Sequence, residues 1–334
     1  MDSVQPVNGS TDYIGLIGGE LAKAKQLHDQ VPEHIGMFTV KTANQTIKDA
    51  ALRPDPPALW LSLWYEGEVC CLFADSNLGK SIYATQIAAK IAEKQKVLYF
   101  DFELSDKQFQ MRYTDEHENT HRFPENLLRS DINRESLDMT NFEDAVIENI
   151  EKTALQSEAK VLIIDNLSFL CLNAEKGDVA GKLMFKLTGL KKKHDLSILV
   201  IAHTPKRQLS NPITQNDLAG SKRLFNFFDS VFAIGKSTKD NGLRYIKQLK
   251  VRHGEYTYDS DNVIVASIEK SNSFLHFSQI GFATEREHLK EQSENDRSEL
   301  IEKCRELKSQ GLSQRQTAKD LSISLGAVNK YLKL

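Results

Sequence analysis

The stretch LFADSNLGKSIYATQIA, residues 72–88, decides how the chain folds. It follows the pattern G-x-x-x-x-G-K-[S/T], in which a loop between a strand and a helix binds phosphate groups. The match runs over Ala74, Asp75, Ser76, Asn77, Leu78, Gly79, Lys80 and Ser81. Ala74 stands where the pattern has its first glycine. Because an apolar run precedes the loop and a helical pattern follows it, the stretch predicts a strand, a turn and a helix.

This loop has the groups that a nucleotide site needs. Backbone N–H groups at a helix N-terminus hold anionic oxygens, a lysine contacts the β- and γ-phosphates, and a hydroxyl contacts Mg²⁺. We therefore expect residues 74–82, from Ala74 to Ile82, to bind ATP, with Lys80 on the phosphates and Ser81 on Mg²⁺. Alanine at position 74 costs little unless that residue needs a positive φ. The alternative is a chance Gly-Lys-Ser at a helix start, but the flanking strand and helix patterns favour a working site.

The rest of the chain predicts an α/β fold. Apolar runs of strand length alternate with amphipathic helical patterns such as NFEDAVIENIEKTAL and LMFKLTGLKKK. Those runs are EVCCLFA, KVLYFDFE, KVLIIDNLSFL and LSILVIA. Unbroken apolar strands between helices are typical of a parallel sheet covered on both faces. After about Asp229, the runs SVFAI, LRYIKQLKVRH, EYTYD, NVIVASI and SFLHFS predict antiparallel hairpins added to that sheet.

Composition shifts divide the chain into four parts. Three prolines in ALRPDPPALW mark a linker into a new domain. Residues 1–55 are predicted to be a partly helical or flexible N-terminal segment, and 56–282 the α/β domain. The polar run REHLKEQSENDRS predicts a linker at 283–296, and 297–334 a small helical domain.

Global composition excludes several classes of protein. The chain has 334 residues, a net charge of -3 and 40% hydrophobic residues, enough for a real core. No apolar run approaches the roughly 18 residues of a membrane helix, and no secretory signal is present, so we expect a cytoplasmic protein without membrane contact. The four cysteines form no C-x-x-C pair, which favours buried thiols over metal ligands. The overall charge does not favour nucleic acid binding, so any such contact must be local.

Three predicted strands end in residues that suit ATP hydrolysis. The first ends in Asp101-Phe102-Glu103, and alternation along it predicts that both carboxylates share one face. Glu103 is our candidate for the base that polarises the attacking water, with Asp101 in reserve. A second strand delivers Asp165, in the position of a Mg²⁺-supporting aspartate. A third ends at His203, which is placed to sense the γ-phosphate.

Together these strand ends resemble those of the RecA-fold ATPases, above all the branch of DnaB-type and RepA-type hexameric helicases. FDFELSDKQFQMRY is similar to a strand–glutamate–helix element whose glutamate is the catalytic base of that family. LIIDNLSFL, IAHTPK and DLAGSKRLFNFFDSVFAI are similar to further segments of its core. The resemblance covers roughly residues 56–282. It departs at Ala74 and in residues 1–55, which do not look like the helical N-terminal domain of DnaB-type rings.

The resemblance also implies partners. LKVRHGEY is similar to a hairpin whose lysine and arginine, here Lys250 and Arg252, reach the nucleotide of the neighbouring subunit. A homo-hexameric ring is therefore implied. The loop KRQLSNPITQND, 206–217, would face the ring centre, where Lys206 and Arg207 would track a single DNA strand.

The C-terminal segment GLSQRQTAKDLSISLGAVNKYLKL resembles the helix-turn-helix of resolvase-type recombinases. Ser313 is predicted to cap one helix, and a second would start near Leu325. The segment is locally basic, and we expect Arg315, Asn329 and Lys330 to contact double-stranded DNA. The alternative is a helical hairpin used for oligomer contacts.

Two functions fit these features. The first is an ATP-hydrolysing, ring-forming DNA motor or remodeller, and the resemblance implies replication or mobilisation of a plasmid, phage or integrative element. The second is an ATP-switched DNA-binding regulator or partner loader with slow or no turnover.

Overall fold

A computed structural model gives the fold of this chain. It describes residues 19, 34–132, 142–170, 177–204, 207–218, 222–289, 294–321, 323 and 325–333. The chain divides into two compact units, Met1–Asp55 and Pro56–Leu334.

The described part of the first unit holds a short hairpin and one helix. Strands β1 (His34–Ile35) and β2 (Phe38–Thr39) pair antiparallel, and helix α1 spans Ala43–Ala51. Thr42 caps α1, because its hydroxyl accepts a hydrogen bond from the Gln45 N–H at 3.1 Å.

The second unit is built on a nine-stranded sheet. Its strands are β5 (Val69–Ala74), β6 (Val97–Asp101), β7 (Leu127–Ser130), β8 (Val161–Asp165), β9 (Ser197–His203), β10 (Ser230–Lys236), β11 (Leu243–Lys250), β12 (Val263–Ser271) and β13 (Phe274–Ala283). They follow the order β13-β12-β11-β10-β5-β9-β8-β6-β7. The strands from β10 to β7 in that order are parallel, and β11, β12 and β13 add antiparallel hairpins. The predicted mixed sheet is confirmed.

Helices cover both faces of this sheet. The helices of this unit are α2 (Lys80–Ala92), α3 (Asp106–Arg112), α4 (Phe142–Ser157), α5 (Leu167–Leu170), α6 (Gly177–His194), α7 (Lys222–Phe227), α8 (Glu294–Ser309), α9 (Gln314–Asp320) and α10 (Leu325–Tyr331). The last three share a separate apolar core. Successive β5 side chains alternate between two apolar layers, with Cys71 and Phe73 packed in the layer that includes α4 and α6. Cys70 and Leu72 pack in the layer that includes α2. Burial on both faces explains why the strand reads as an unbroken apolar run.

Some predicted boundaries were wrong. EYTYD, 255–259, is not a strand, because the Gln248 side chain accepts the N–H groups of Thr257 and Tyr258 that a ladder would use. The run KVLIIDNLSFL contains a strand only to Asp165, after which α5 begins. Two short strands were missed, β3 (Ala58–Trp60) and β4 (Trp64–Tyr65), which form a separate hairpin, and so was β7.

The predicted linker at 283–296 is not a polar linker along its whole length. Glu285–His288 form a 3₁₀ turn in which Glu285 and His288 are buried. Glu285 accepts a hydrogen bond from the buried Lys247 ammonium at 2.6 Å. This turn therefore belongs to the packed core, and α8 begins soon after, at Glu294.

Helices α8, α9 and α10 pack around a small apolar core. Cys304, Val328 and Tyr331 are buried there, with Leu321 and Ile323 of the intervening turn against them. The Ser313 hydroxyl accepts a hydrogen bond from the Gln316 N–H at 3.3 Å, so the predicted cap is confirmed. Helix α10 starts at Leu325, as predicted.

None of the helices in the described residues is both long enough and apolar enough to span a membrane.

Candidate active site

The phosphate-binding loop lies between the buried strand β5 and helix α2. Gly79 caps α2 with φ = 92°, and a Cβ there would lie 2.8 Å from the Ile268 side chain. The positive φ is what favours glycine at this position, and a Cβ there would also displace the end of the Ile268 side chain. Ala74, in contrast, is the last residue of β5 and pairs with His203 in the parallel ladder. Because its backbone is extended, alanine replaces glycine there without strain.

The remaining loop residues divide by exposure. Ser76 and Asn77 are exposed, Leu78 is buried, and Ile82 is half-buried in the first turn of α2. Asn77 has φ = 63°, a conformation that asparagine tolerates better than most residues. The loop thus exposes backbone and small polar groups to solvent, while the buried Leu78 side chain anchors the loop in the core.

The Lys80 ammonium is folded over this loop. It donates hydrogen bonds to the carbonyl oxygens of Ala74 at 2.9 Å and of Asp75 at 3.0 Å. Burial lowers the pKa of Lys80, and the nearby Asp165 and Glu103 carboxylates oppose that shift. A buried cation whose hydrogen bonds here go to neutral carbonyls is well placed to bind an anionic ligand.

Asp165 is a buried carboxylate at the end of β8, 2% exposed. The Tyr99 hydroxyl donates a hydrogen bond to its Oδ2 at 2.8 Å. Burial raises the pKa of Asp165 to about 6, against the lowering effect of a hydrogen bond with Ser81. A carboxylate beside a hydroxyl in this position offers the oxygen ligands that Mg²⁺ prefers.

No group of three or more His, Cys, Asp or Glu side chains in the described parts of the chain could hold a metal ion alone. Ser81 and Asp165, which share a hydrogen bond, form a small set of oxygen donors beside the loop. That small set fits Mg²⁺, which is usually bound through one or two carboxylates together with substrate phosphates.

Asp165 provides a pH-dependent prediction. Its pKa is raised on folding, so its contribution to stability is present at low pH and lost as the pH rises through about 6. We expect Asp165→Asn to raise the free energy of unfolding of the nucleotide-free protein at pH 8, by up to about 3 kcal/mol. The gain should be smaller at pH 5. Urea unfolding at both pH values measures it, with the exposed Asp261→Asn as control. An equal gain at both pH values would contradict the assignment of the shift to Asp165.

Glu103, Asn166 and His203 form a hydrogen-bonded group beside Lys80 and Asp165. The Asn166 side-chain amide donates to Glu103 Oε1 and lies 3.0 Å from His203 Nε2. His203 Nε2 is also 3.4 Å from Glu103 Oε1. The hydrogen bond with His203 lowers the pKa of Glu103, against the raising effect of burial. Glu103 is therefore a carboxylate at neutral pH, able to accept a proton, with its side chain 43% exposed.

Asp101 does not share the surroundings of Glu103. Strand β6 ends at Asp101, and the chain then bends, so the alternation that predicted one common face does not continue. The Asp101 carboxylate accepts hydrogen bonds from Arg129 Nε at 3.0 Å and from the Leu104 N–H at 2.9 Å. It faces β7, on the other side of the strand from Asn166. Asp101 thus fixes the bend that carries Glu103, and the expectation of a shared face was wrong.

Lys250 and Arg252 lie at the opposite edge of the sheet. Strand β11 is antiparallel to β10, and Lys250 pairs with Val231 at the amino end of β10. The Lys250 ammonium donates to the Phe225 carbonyl at 3.1 Å. Arg252 donates to Asp229 Oδ1 at 2.7 Å, and its side chain is 52% exposed.

The residues predicted to contact DNA differ in their exposure to solvent. Lys206 lies outside the described residues. We expected Arg207 to contact DNA at the ring centre, but its side chain is only 6% exposed and pairs with Asp75 in the phosphate-binding loop. Arg315 and Lys330 are exposed on α9 and α10, and Asn329 is half-buried.

Sequence reasoning missed three residues of this site. Tyr99, Asn166 and Arg129 each bond to a carboxylate that the sequence had singled out. Asn166 follows Asp165 directly, which was the available signal. Tyr99 and Arg129 carried none, because their roles arise from strands that become neighbours only in the folded sheet.

Comparisons with known proteins agree with this geometry. The model of the AAA domain family matches residues 39–208, just over half of the chain, and that span includes the loop, Glu103, Asp165 and His203. No curated protein matches the sequence. Among solved structures, a KaiC-like protein from the hyperthermophilic archaeon Pyrococcus horikoshii OT3 is similar, with 15% sequence identity and a TM-score of 0.45. That match covers 64% of this chain and 91% of the other. The family match and the loop geometry lead to one conclusion: the chain belongs to the AAA domain family and is a P-loop ATPase.

Proposed function

We propose that the protein is an ATP-hydrolysing, ring-forming DNA motor or remodeller, similar in class to RepA-type and DnaB-type helicases. The observation that carries the proposal is the meeting of Glu103, Asn166 and His203 with Lys80 and Asp165 at one sheet edge. The ends of four adjacent strands supply this cluster. A binding site alone would need the loop and Lys80, whereas a polarising carboxylate beside them suits hydrolysis.

Each residue has a distinct task in this proposal. The backbone N–H groups of the loop and Lys80 hold the phosphates of ATP, and Glu103 accepts the proton of the attacking water. Ser81 and Asp165 would hold Mg²⁺, which when bound neutralises charge on the phosphate oxygens. His203 contacts the γ-phosphate, and Asn166 links its position to that of Glu103.

A ring is proposed because Lys250 and Arg252 are too far from the loop of their own chain. The two sites are separated by about the length of β5, whose six residues span roughly 20 Å at about 3.3 Å per residue. Both cations would instead act on the nucleotide of a neighbouring subunit, where positive charge stabilises the transferring phosphoryl group. A closed homo-hexamer is the assembly that the resemblance favours.

DNA contacts are proposed at two places. The loop after β9 would line the ring centre and contact a single strand through Lys206 and through its exposed residues Asn211, Pro212, Thr214, Gln215 and Asn216. Arg315, Asn329 and Lys330 would contact duplex DNA through its phosphates.

The second candidate, an ATP-switched regulator or loader, is favoured by one contact. The Gln208 side-chain amide donates to the Leu321 carbonyl at 2.8 Å, which ties the loop after His203 to the turn between α9 and α10. A change at the γ-phosphate could thereby reach the C-terminal helices without any DNA movement.

One experiment separates the two functions. ATP hydrolysis is measured with no DNA, with single-stranded DNA and with duplex DNA, beside a mass measurement in ATP. The motor predicts hydrolysis stimulated by DNA and a ring-sized mass. ATP-dependent duplex binding with little turnover would favour the regulator, and no hydrolysis with a monomeric mass would contradict the motor.

The C-terminal helices provide a further prediction. We expect a chain ending near residue 290 to keep its basal ATPase activity and to lose most of its affinity for duplex DNA. All the residues of the hydrolytic cluster remain in that chain, whereas α8, α9 and α10 are removed. The lost affinity should be salt-sensitive, because its contacts are mainly to phosphates.

A matched full-length variant tests the same point without truncation. Arg315→Gln with Lys330→Gln should weaken duplex binding and reduce the salt dependence by about two counterions. Fluorescence anisotropy with labelled duplex at several salt concentrations measures both. Unchanged binding by both proteins would favour an oligomer contact for these helices.

A further inference from the structure

The phosphate-binding loop carries a carboxylate that is matched by a buried arginine. Asp75, the second residue of the loop, lies 3.4 Å from Arg207 Nε, and the Arg207 side chain is 6% exposed. We propose that Arg207 is a positioning residue that offsets the negative charge of Asp75 and thereby lets the loop bind a polyphosphate. The proposal rests on the proposed function, in which this loop binds ATP.

A carboxylate at this place opposes nucleotide binding by itself. The loop encloses the phosphates, so a negative charge on its second residue lies close to the several negative charges of ATP. Like charges in a partly buried site repel each other far more than in bulk water. Asp75 is only partly exposed, so solvent screens it incompletely. A nearby fixed cation is the direct way to remove this repulsion.

Arg207 is fixed by three partners, which distinguishes it from a mobile surface cation. Besides Asp75, its guanidinium donates to the Asn211 carbonyl at 2.8 Å and lies 3.5 Å from the Tyr245 hydroxyl. Tyr245 is buried and bonds to Glu285 at 3.3 Å. Arginine has no protonation change near neutral pH, so the compensating charge is permanent.

The buried residues behind Arg207 hold its side chain in position next to Asp75. Glycine at position 235 makes room for the Tyr245 ring, because a Cβ there would lie 2.1 Å from it. Glu285 also accepts the Ile213 N–H at 2.8 Å and the Lys247 ammonium at 2.6 Å, so the loop segment that carries Arg207 is anchored in the core. The ion pair is thus preorganised before nucleotide arrives.

Charge compensation predicts opposite effects for the two partners. Arg207→Met removes the ion-pair partner of Asp75, leaves only the more distant attraction of Lys80, and should weaken ATP binding about tenfold. Asp75→Asn leaves an uncompensated cation and should tighten ATP binding. The double variant should recover most of the affinity that Arg207→Met loses. Each effect should be larger for ATP than for ADP, because ATP carries more charge.

The test is calorimetric titration of ATP and of ADP into wild type, the two single variants and the double variant, with Lys80→Ala as the non-binding reference. Arg122→Met is the matched control, because this exposed arginine pairs only with the exposed Glu125 among the described residues and should bind ATP as wild type does. Urea unfolding without nucleotide reports stability separately. Arg207→Lys should bind ATP better than Arg207→Met, since it keeps the charge.

The outcomes separate this proposal from the proposed function. Failure of wild type to bind ATP contradicts the proposed function. Wild-type binding with equal ATP affinity in Arg207→Met, or with no recovery in the double variant, overturns the compensation and leaves a structural ion pair only. Where Arg207→Met does not fold, Asp75→Asn decides alone, because an affinity for ATP equal to or weaker than wild type overturns the proposal.

Discussion

Replacing Glu103 with glutamine is expected to lower ATP turnover at least 100-fold while ATP still binds. Glutamine keeps the size of the side chain and its carbonyl oxygen, so it can still accept the hydrogen bond from Asn166. It cannot accept a proton from water. Loss of a positioned base costs on the order of 10²- to 10⁴-fold in rate. Steady-state hydrolysis together with a binding titration measures the two effects separately.

Two reference variants make this result interpretable. Lys80→Ala should lose binding as well as turnover, because it removes the buried cation of the loop. Glu116→Gln, at an exposed glutamate, should hydrolyse ATP as wild type does. Wild-type turnover in Glu103→Gln would remove Glu103 from the mechanism. Asp101 would then become the candidate base despite its bonds to Arg129 and Leu104.

Arg252→Ala is expected to bind ATP normally and to hydrolyse it about 1,000-fold more slowly or worse, the range seen when an arginine that stabilises phosphoryl transfer is removed. Its fold should survive, because Arg252 is half exposed and Asp229 keeps its ion pair with Lys191 at 2.8 Å. Arg122→Ala serves as the control for removing an exposed arginine.

Mixing gives the decisive measurement for Arg252. Arg252→Ala and Glu103→Gln should each be inactive alone, but a mixed assembly would contain interfaces that pair an intact Glu103 with an intact Arg252. Hydrolysis should therefore reappear on mixing, in proportion to those interfaces. If the two proteins co-assemble by mass and stay inactive, Arg252 acts within its own subunit or not at all.

The sequence alone predicted the fold because the fold depends on local patterns. The apolar run before Asp75 predicts a strand, and the helical pattern after Gly79 predicts a helix. The parallel strands are buried on both faces, so each appears in the sequence as an unbroken apolar run. The polar residues at or just after the ends of three strands could also be predicted, and the structure brings Glu103, Asp165 and His203 to one edge. Their catalytic roles remain predictions.

What the sequence did not reveal depends on contacts between distant segments. Arg207 was expected to contact DNA at the ring centre, because nothing near it in sequence marks the buried Tyr245 and Glu285 beside it. The bend after Asp101 likewise depends on Arg129, which reaches it from the neighbouring strand. Asp75 was recognised as part of a motif, whereas its charge partner lies 132 residues further along the chain.

The phosphate-binding loop and Arg252 lie at opposite edges of one sheet. This placement affects how ATP hydrolysis depends on protein concentration. If Arg252 completes the site of the next subunit, no single chain contains a whole catalytic site. Contacts between two different surfaces are head-to-tail, and they close into a ring or extend as a filament according to the rotation at each step. Hydrolysis per molecule would then fall as the protein is diluted below its assembly threshold, although each isolated chain would keep its affinity for ATP.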